Sequence, residues 1–465
     1  MIGKLGNRLT QIFLKYMPNA FVFALALTLL TVLIALIWLG SSPLNIVTSW
    51  YKGFFDLLDF AMQIVLIIIT GFCIALSPIV RKAIDKLTLI IKSPGQVYVL
   101  VVFIGGILTL VSFGWIVITS VFARELAKRV KGINYPFLIA CTYFSGNVWV
   151  MGFSSTIPLM LNTNNNFLMD AGVLGEIIPT NFTLQSSLNM AFLVIMLIGG
   201  PLVMFLLKPK SAEGKELTQL ITSSDTSESL TIKEEAKSLK LPFPTWSDRL
   251  NNGSLIQLLV SLMGIVYIIY HFYTNGFDLN FNIMIFIFLI IGLILHKTPM
   301  RYVLAMQRSS SNVSGILFQY PFYAGIMGIM LYTGLGERLG QVMASLATLD
   351  TYPFYAYLTG AMVNFAIPSA GGEFAVVGPS VIKAVTEMGT GLSEIEITKM
   401  ISRASLSIAY GETITNMLQP FYLLLVMPVM GKGVKLQARD IMGYLILPFV
   451  IFFIIQSLLV IYWPM

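Results

Sequence analysis

Two acidic residues stand inside long apolar stretches. Glu373 closes the segment IPSAGGE (367–373), and Glu412 lies in AYGETITNMLQPF (409–421). An ionisable group within a membrane segment is costly and by default functional. Glu373 could accept a coupling proton or help to hold Na⁺; at the mouth of a hairpin it would simply be solvated. Around Glu412 stand Tyr410, Thr413, Thr415, Asn416 and Gln419, oxygen and amide groups suited to Na⁺ or carboxylate ligation. The same groups could equally form a structural network that ties two helices together.

The residues beside Glu373 interrupt a helix. Pro368, Gly371 and Gly372 break it, which exposes free N–H groups and a positive dipole end that suit a carboxylate or phosphate. Ser369 adds a hydroxyl. A packing kink is the plainer alternative, since Gly and Pro are common in membrane helices. Two uncharged breaks occur earlier in the chain. TLVSFGWIV (109–117) carries Ser112, Gly114 and Trp115. YFSGNVWVMGFSSTIP (143–158) carries Ser145, Gly146, Asn147, Gly152, Ser154, Ser155 and Thr156. Trp115 and Trp149 could shape an apolar pocket or merely pack. The expected substrate-binding set is Ser112, Gly114, Ser145, Asn147, Ser154, Ser155, Ser369, Gly371, Gly372, Asn416 and Gln419. The expected coupling-ion set is Glu373, Glu412, Tyr410 and Thr413.

Other chemistries find little support. Cys73 and Cys141 give neither a disulfide framework nor a metal spacing. His271 and His296 have no ligand partner nearby and are expected at the membrane interface. Arg124 and Glu125 are expected in the solvated end of a hairpin. No phosphate-binding loop occurs, and no nucleophile stands beside its own base. The expectation is therefore no enzyme, no metal and no cofactor beyond a coupling H⁺ or Na⁺.

The elements that position these residues are apolar. Hydrophobic residues make up 56% of the 465 and charged residues 11%, with a mean hydropathy of +0.82. Soluble domains carry about a quarter charged residues. Runs of spanning length occur at 20–39, 57–80, 188–207, 253–273, 281–295, 312–333 and 441–462, and backbone groups in lipid must bond internally, so each is read as a helix. Residues 2–16 read as an amphipathic surface helix. The net charge of +7 reads as a membrane-side bias rather than as nucleic-acid binding.

An internal repeat organises the chain. Leu44–Gln63 lies on Met300–Gln319, Pro94 and Pro353 each open an apolar helix, and the two early breaks fall near the two later ones. Each half thus holds two broken, small-residue segments, the usual pointer to a transporter's substrate site. The expected first repeat is 1–207, with a hairpin at 95–130 and a broken helix at 135–163. A cytoplasmic linker and linker helix occupy 208–280. The second repeat is 281–465, with a hairpin at 353–388 and a broken helix at 402–428. Treating both hairpins as re-entrant leaves only Lys52, Arg338, Lys383, Lys399 and Arg403 of the 29 Lys and Arg outside, as the positive-inside rule requires. An odd number of crossings then separates matching elements, so the repeats are inverted. The expected fold is an all-α polytopic membrane protein, with its N-terminus cytoplasmic.

The chain also resembles a known family, the bacterial short-chain fatty acid transporters, over nearly its whole length. The resemblance rests on IGKLGNRLTQIFLKYMPNAFVFALALTLLT near the start, VFARELAKRV (121–130), LILHKTPM (293–300), FQYPFYAGIMGIM (318–330), NFAIPSAGGEF (364–374) and IAYGETITNMLQPF (408–421). That family is similar in organisation to the wider ion transporter superfamily, whose members pair a scaffold domain with a mobile transport domain, often as homodimers working as elevators. The resemblance implies uptake of small monocarboxylates such as butyrate or acetoacetate across a bacterial cytoplasmic membrane, coupled to H⁺ or Na⁺. One departure stands out: the family pattern often continues PSGGG with His-Trp. Here Ala370 interrupts the Gly run and Glu373-Phe374 replace His-Trp. A carboxylate there repels an anion unless it is protonated or paired with a cation, which favours cation coupling. Dicarboxylates or other organic anions are the alternative cargo, but no Lys or Arg stands at any break.

Overall fold

The computed structural model describes residues 18–56, 58–88, 91–162, 167–170, 172–221, 231–240, 245–276, 281–310 and 313–465. The amphipathic segment at 2–16 lies outside them. Among the described residues every regular element is helical, apart from one isolated bridge between Ile221 and Val434.

Among the described residues, five helices are long and apolar enough to cross a bilayer: Pro94–Val111, Tyr135–Asn162, Ser187–Leu207, Trp246–Asn275 and Ala438–Tyr462. A sixth candidate is the pair Glu394–Leu418 and Leu423–Met430, bent by 45° at its break. Leu255–Asn275 shows why lipid is needed. Met263 is 71% exposed and Tyr273 89% exposed, and Leu255, Leu258, Leu262, Val266 and Ile269 are open as well. A helix apolar on nearly every side is stable only in a core or a membrane, and among the described residues its main neighbour is Phe281–His296.

The same order of elements occurs twice. Ala20–Ile37 is followed by Pro43–Asp56, Leu58–Ala75 and Pro78–Thr88. Phe281–His296 is followed by Pro299–Ser310, Ser314–Tyr332 and Leu335–Ser345. Each series leads into a helix pair, a helix with a 3₁₀ interruption, and a final long apolar helix. The packing repeats too. Pro78–Thr88 lies on Ile116–Arg129 as Leu335–Ser345 lies on Ala370–Met388. Ile116–Arg129 also packs on Leu423–Met430 from the other half, and Ala370–Met388 on Thr156–Asn162.

Both helix pairs fold back on themselves. Gly132, just past Ile116–Arg129, sits so that a Cβ there would lie 3.5 Å from Pro94 Cγ, and the Asn134 N–H donates to Tyr98 Oη at 2.8 Å. The first pair therefore ends beside its own start, although Pro94–Val111 alone is long enough to cross. Tyr352, Tyr355 and Ala356 share a small crevice with Val385 and Met388, so the second pair does the same.

Polar segments gather at one end of the molecule. Arg124 donates to the carbonyls of Val429 and Lys432, Asn134 to that of Ser211, and Lys215 Nζ to Tyr444 Oη at 3.1 Å. Arg308 pairs with Glu235. Arg124, partly exposed, thus clamps the end of a helix, while Glu125 pairs with Lys128 at 2.5 Å. At the opposite end Arg403 binds the carbonyls of Val460, Ile461 and Trp463, and Ser402 that of Phe182. His296, expected at the interface, is instead buried, with Nε2 2.8 Å from the Cys73 carbonyl. His271 is buried as well.

Candidate functional site

Four helix breaks meet in the centre of the protein. The first follows Val111, where Ser112 turns extended before the 3₁₀ turn Phe113–Trp115. The second is the 3₁₀ stretch Gly146–Met151, closed by extended Gly152. The third runs from Asn364 to Ser369, and the fourth is the 3₁₀ turn Asn416–Leu418 followed by extended Gln419. Free backbone groups at membrane depth need partners from the protein, and each break finds them on its neighbours.

In the first half, Phe153 N–H donates to the Leu110 carbonyl at 2.9 Å, and Phe113 N–H to Ser154 Oγ at 3.0 Å. Thr109 Oγ1 donates to the Ser145 carbonyl at 3.0 Å. Gly152 must be Gly, because a Cβ would collide with the Leu110 carbonyl. In the second half, Asn364 is the link. Its Nδ2 donates to Thr415 Oγ1 at 2.9 Å and Asn416 Oδ1 at 2.8 Å. Gln419 Nε2 donates to the Asn364 carbonyl at 2.9 Å and Asn416 Oδ1 at 3.1 Å. Gly360 and Gly411 let the two helices cross with backbone against backbone.

Other contacts join the halves. Tyr143 Oη is placed to donate to the carbonyls of Asn416 (2.7 Å) and Gln419 (2.9 Å). The Phe113 ring lies 5.1 Å from both the Trp149 and Tyr422 rings. A Cβ on Gly371 would touch Thr156 Cγ2 at 3.1 Å.

Both acidic residues are completely buried here. Glu412 Oε1 accepts from Tyr422 Oη (3.3 Å) and Asn416 Nδ2 (3.4 Å), while its Oε2 has no partner among the described residues. Neither oxygen of Glu373 has one among the described residues. Glu373 lies on the first turn of Ala370–Met388, capped by Ser369, whose Oγ accepts from Gly372 N–H. An unpaired buried carboxylate is very costly, so this pair calls for a proton or a cation.

The other named residues divide. Asn416 and Gln419 sit in the Glu412 network. Gly371 and Gly372 start the Glu373 helix, with Gly372 also close against Met327. Thr413 and Ser155 are buried with unpartnered hydroxyls. Ser112 and Ser154 hold the first break, and Gly114 lies tight against Ile67. Ser145 and Asn147 turn back on their own helix, donating to the carbonyls of Thr142 and Phe144. Tyr410 is engaged elsewhere. Its Oη donates to Asn189 Oδ1 at 2.9 Å and its ring stacks on Phe192 at 3.7 Å. Asn189 in turn donates to the Met151 carbonyl. Asn364, Tyr143, Tyr422 and Asn189 were not among the expected site residues; Asn364 and Tyr143 had a local signal, at the heads of NFAIPSAGGEF and YFSGNVWVMGFSSTIP. Among the described residues there is no group of three or more His, Cys, Asp or Glu able to hold a metal ion.

The sequence profile of the short chain fatty acid transporter family matches residues 1–463. The chain belongs to this family. Two provisionally named short-chain fatty acid transporters are similar along the same length. That of Escherichia coli (strain K12) is 35% identical and that of Haemophilus influenzae (strain ATCC 51907 / DSM 11121 / KW20 / Rd) 34% identical, each over 96% of both chains. The crystal structure of the Alcanivorax borkumensis YdaH transporter aligns over 98% of both chains, with 14% identity and a TM-score of 0.42. The family is one of membrane transporters, not enzymes.

Proposed function

We propose that the chain is a secondary active transporter that moves short-chain fatty acids and related small monocarboxylates across a bacterial cytoplasmic membrane, coupled to H⁺ or Na⁺. The observation that carries this reading is the meeting of four helix breaks around two buried carboxyl groups. Glu373 and Glu412 supply a place for the coupling proton or ion, which neutralises them as the anionic substrate enters. Broken helices at the middle of a bundle give backbone groups to substrate and ion alike.

The twice-repeated order of elements supports inverted repeats and alternating access. In this reading the helix pairs and broken helices form the moving part, and the helices before them form the scaffold, as in an elevator. The basic segments that gather at one end support a cytoplasmic placement for that end and for the N-terminus.

Dicarboxylates are the weaker reading, because a second substrate charge calls for a basic partner and no Lys or Arg stands at the four breaks. The test is uptake of labelled butyrate by purified protein in liposomes under imposed H⁺ or Na⁺ gradients. Gradient-driven accumulation is expected. No uptake of any short monocarboxylate would overturn the substrate assignment.

A further inference from the structure

The buried polar atoms without partners at the four breaks divide by chemistry between the two halves. In the second half they are acceptors, apart from the Thr413 hydroxyl, which can donate or accept: both oxygens of Glu373, Glu412 Oε2, Asn364 Oδ1 and Gln419 Oε1. The amide orientations follow from their N–H₂ groups, which donate to oxygen atoms of Thr415, Asn416 and Asn364. In the first half, beside Trp115 Nε1 on the first break, the unpartnered group is Trp149 Nε1 on the second, which can only donate. It is buried on the 3₁₀ stretch, with its ring against Phe113. The hydroxyl of Ser155, buried a few residues further on, is also unpartnered and can donate. Neighbouring Ser154, half-buried, accepts from the Phe113 N–H at 3.0 Å and helps to hold the first break. Trp50 and Trp115 also carry unpartnered indole N–H groups, but they pack on Gly325 and Phe288 of the other set of helices.

We infer that the indole N–H of Trp149 and the hydroxyl of Ser155 receive the carboxylate of the transported acid, while the acceptor-rich second-half breaks hold the coupling cation. The inference rests on the monocarboxylate reading above and assigns its two ligands to different halves. An unpaired donor in a low-dielectric interior is costly, and a carboxylate is its strongest available partner. Neutral donors suit a singly charged cargo that leaves the site again. Placing the anion at the uncharged breaks also spares it direct contact with Glu373. The acyl chain then has the rings of Phe113 and Tyr422 beside it.

The test compares Trp149→Phe and Ser155→Ala with Glu412→Gln in proteoliposomes supplied with labelled butyrate. Phe keeps an aromatic ring against Phe113 and removes only the donor; Ser155→Ala removes one small hydroxyl. Loss of a hydrogen bond to a charged group raises the butyrate KM about tenfold or more. The driving-cation concentration for half-maximal uptake and the maximal rate should each change by less than about twofold in these two variants, because the transport step itself is untouched. Glu412→Gln should do the reverse, shifting cation dependence more than butyrate KM. An unchanged butyrate KM in both donor variants overturns the inference, as does a cation shift without a KM shift. If Trp149→Phe fails to fold, Ser155→Ala decides alone by the same criteria. Absence of uptake by wild type would strike the underlying substrate reading instead, so the two failures are distinguishable.

Discussion

Replacing Glu373 by Gln separates coupling from folding. The side chain keeps its size and planar end but loses its titratable group. Because neither carboxyl oxygen has a hydrogen-bond partner, the substitution breaks no bond. The new amide leaves an unmet donor, at a cost of about 1–3 kcal/mol. Against this, the protein no longer buries an ionisable carboxyl, a saving of similar scale and opposite sign. Net stability should stay within about 2 kcal/mol of wild type, the range of an ordinary substitution. Coupling has a larger signal. One proton falling through one pH unit delivers about 1.4 kcal/mol, enough for roughly tenfold accumulation of substrate. A tenfold Na⁺ gradient delivers the same per ion. Wild-type proteoliposomes should therefore take up labelled butyrate faster than protein-free liposomes under a pH gradient, or accumulate it roughly tenfold per coupled ion under a Na⁺ gradient at equal pH, and Glu373→Gln should lose the gradient's effect. Undissociated acid crosses lipid unaided, so protein-free liposomes under the same gradient set the baseline. If Glu373→Gln accumulates butyrate as wild type does, Glu373 is not the coupling residue.

Three further outcomes are expected. Gly411→Ala places a Cβ against the Tyr357 carbonyl and 2.8 Å from the Ala361 nitrogen, two backbone atoms that cannot yield separately. The crossing must open, at a cost of about 1–3 kcal/mol or more, and Tm in detergent should fall. Gly175→Ala, with nothing within 4 Å of its Cβ, should leave Tm unchanged; equal Tm values for both variants would refute the argument. Tyr143→Phe removes the donor that faces the Asn416 and Gln419 carbonyls, at about 0.5–2 kcal/mol. A lower Tm together with slower butyrate uptake is expected, and wild-type values of both would remove Tyr143 from the site. Topology can be read by labelling, since Cys73 and Cys141 are both buried. An impermeant maleimide should label Thr348→Cys on intact cells and Ser238→Cys only after permeabilisation. The opposite pattern would invert the orientation proposed here.

Helical class and family were legible because they rest on length and local pattern. Runs such as 441–462 can only be helices in lipid, and NFAIPSAGGEF and IAYGETITNMLQPF are long enough to be specific. Hydropathy failed where helices are amphipathic. Pro43–Asp56, Pro78–Thr88 and Leu335–Ser345 carry charges or polar residues on one side and do not read as spanning runs. The same blindness set the expected start of the second broken helix at residue 402. The helix begins at Glu394, where Ser393 and Glu396 form a capping box. Its first turns carry Glu394, Glu396, Lys399 and Arg403, which hide a helix from an apolarity count but not from a capping argument.

The site was legible only where breaking and chemistry coincide in one segment. Pro368, Gly371, Gly372 and Glu373 announce themselves, because Pro and Gly interrupt a helix locally and a charge in apolar sequence is rare. What satisfies a break comes from elsewhere. Tyr143 reaches carbonyls 273 and 276 residues away, and nothing within an apolar run marks one tyrosine as their donor. Tyr410 shows the converse. By type and neighbourhood it reads like a ligand for an ion bound near Glu412, the role expected of it, yet its hydroxyl turns to Asn189 in another helix. A hydroxyl on a helix can face any of several neighbours, and the choice depends on how the helices cross. That crossing is set by Gly360 and Gly411, where missing side chains let backbones touch. The orientation of the polar network is therefore a consequence of close packing between distant segments, which spacing along one segment does not encode.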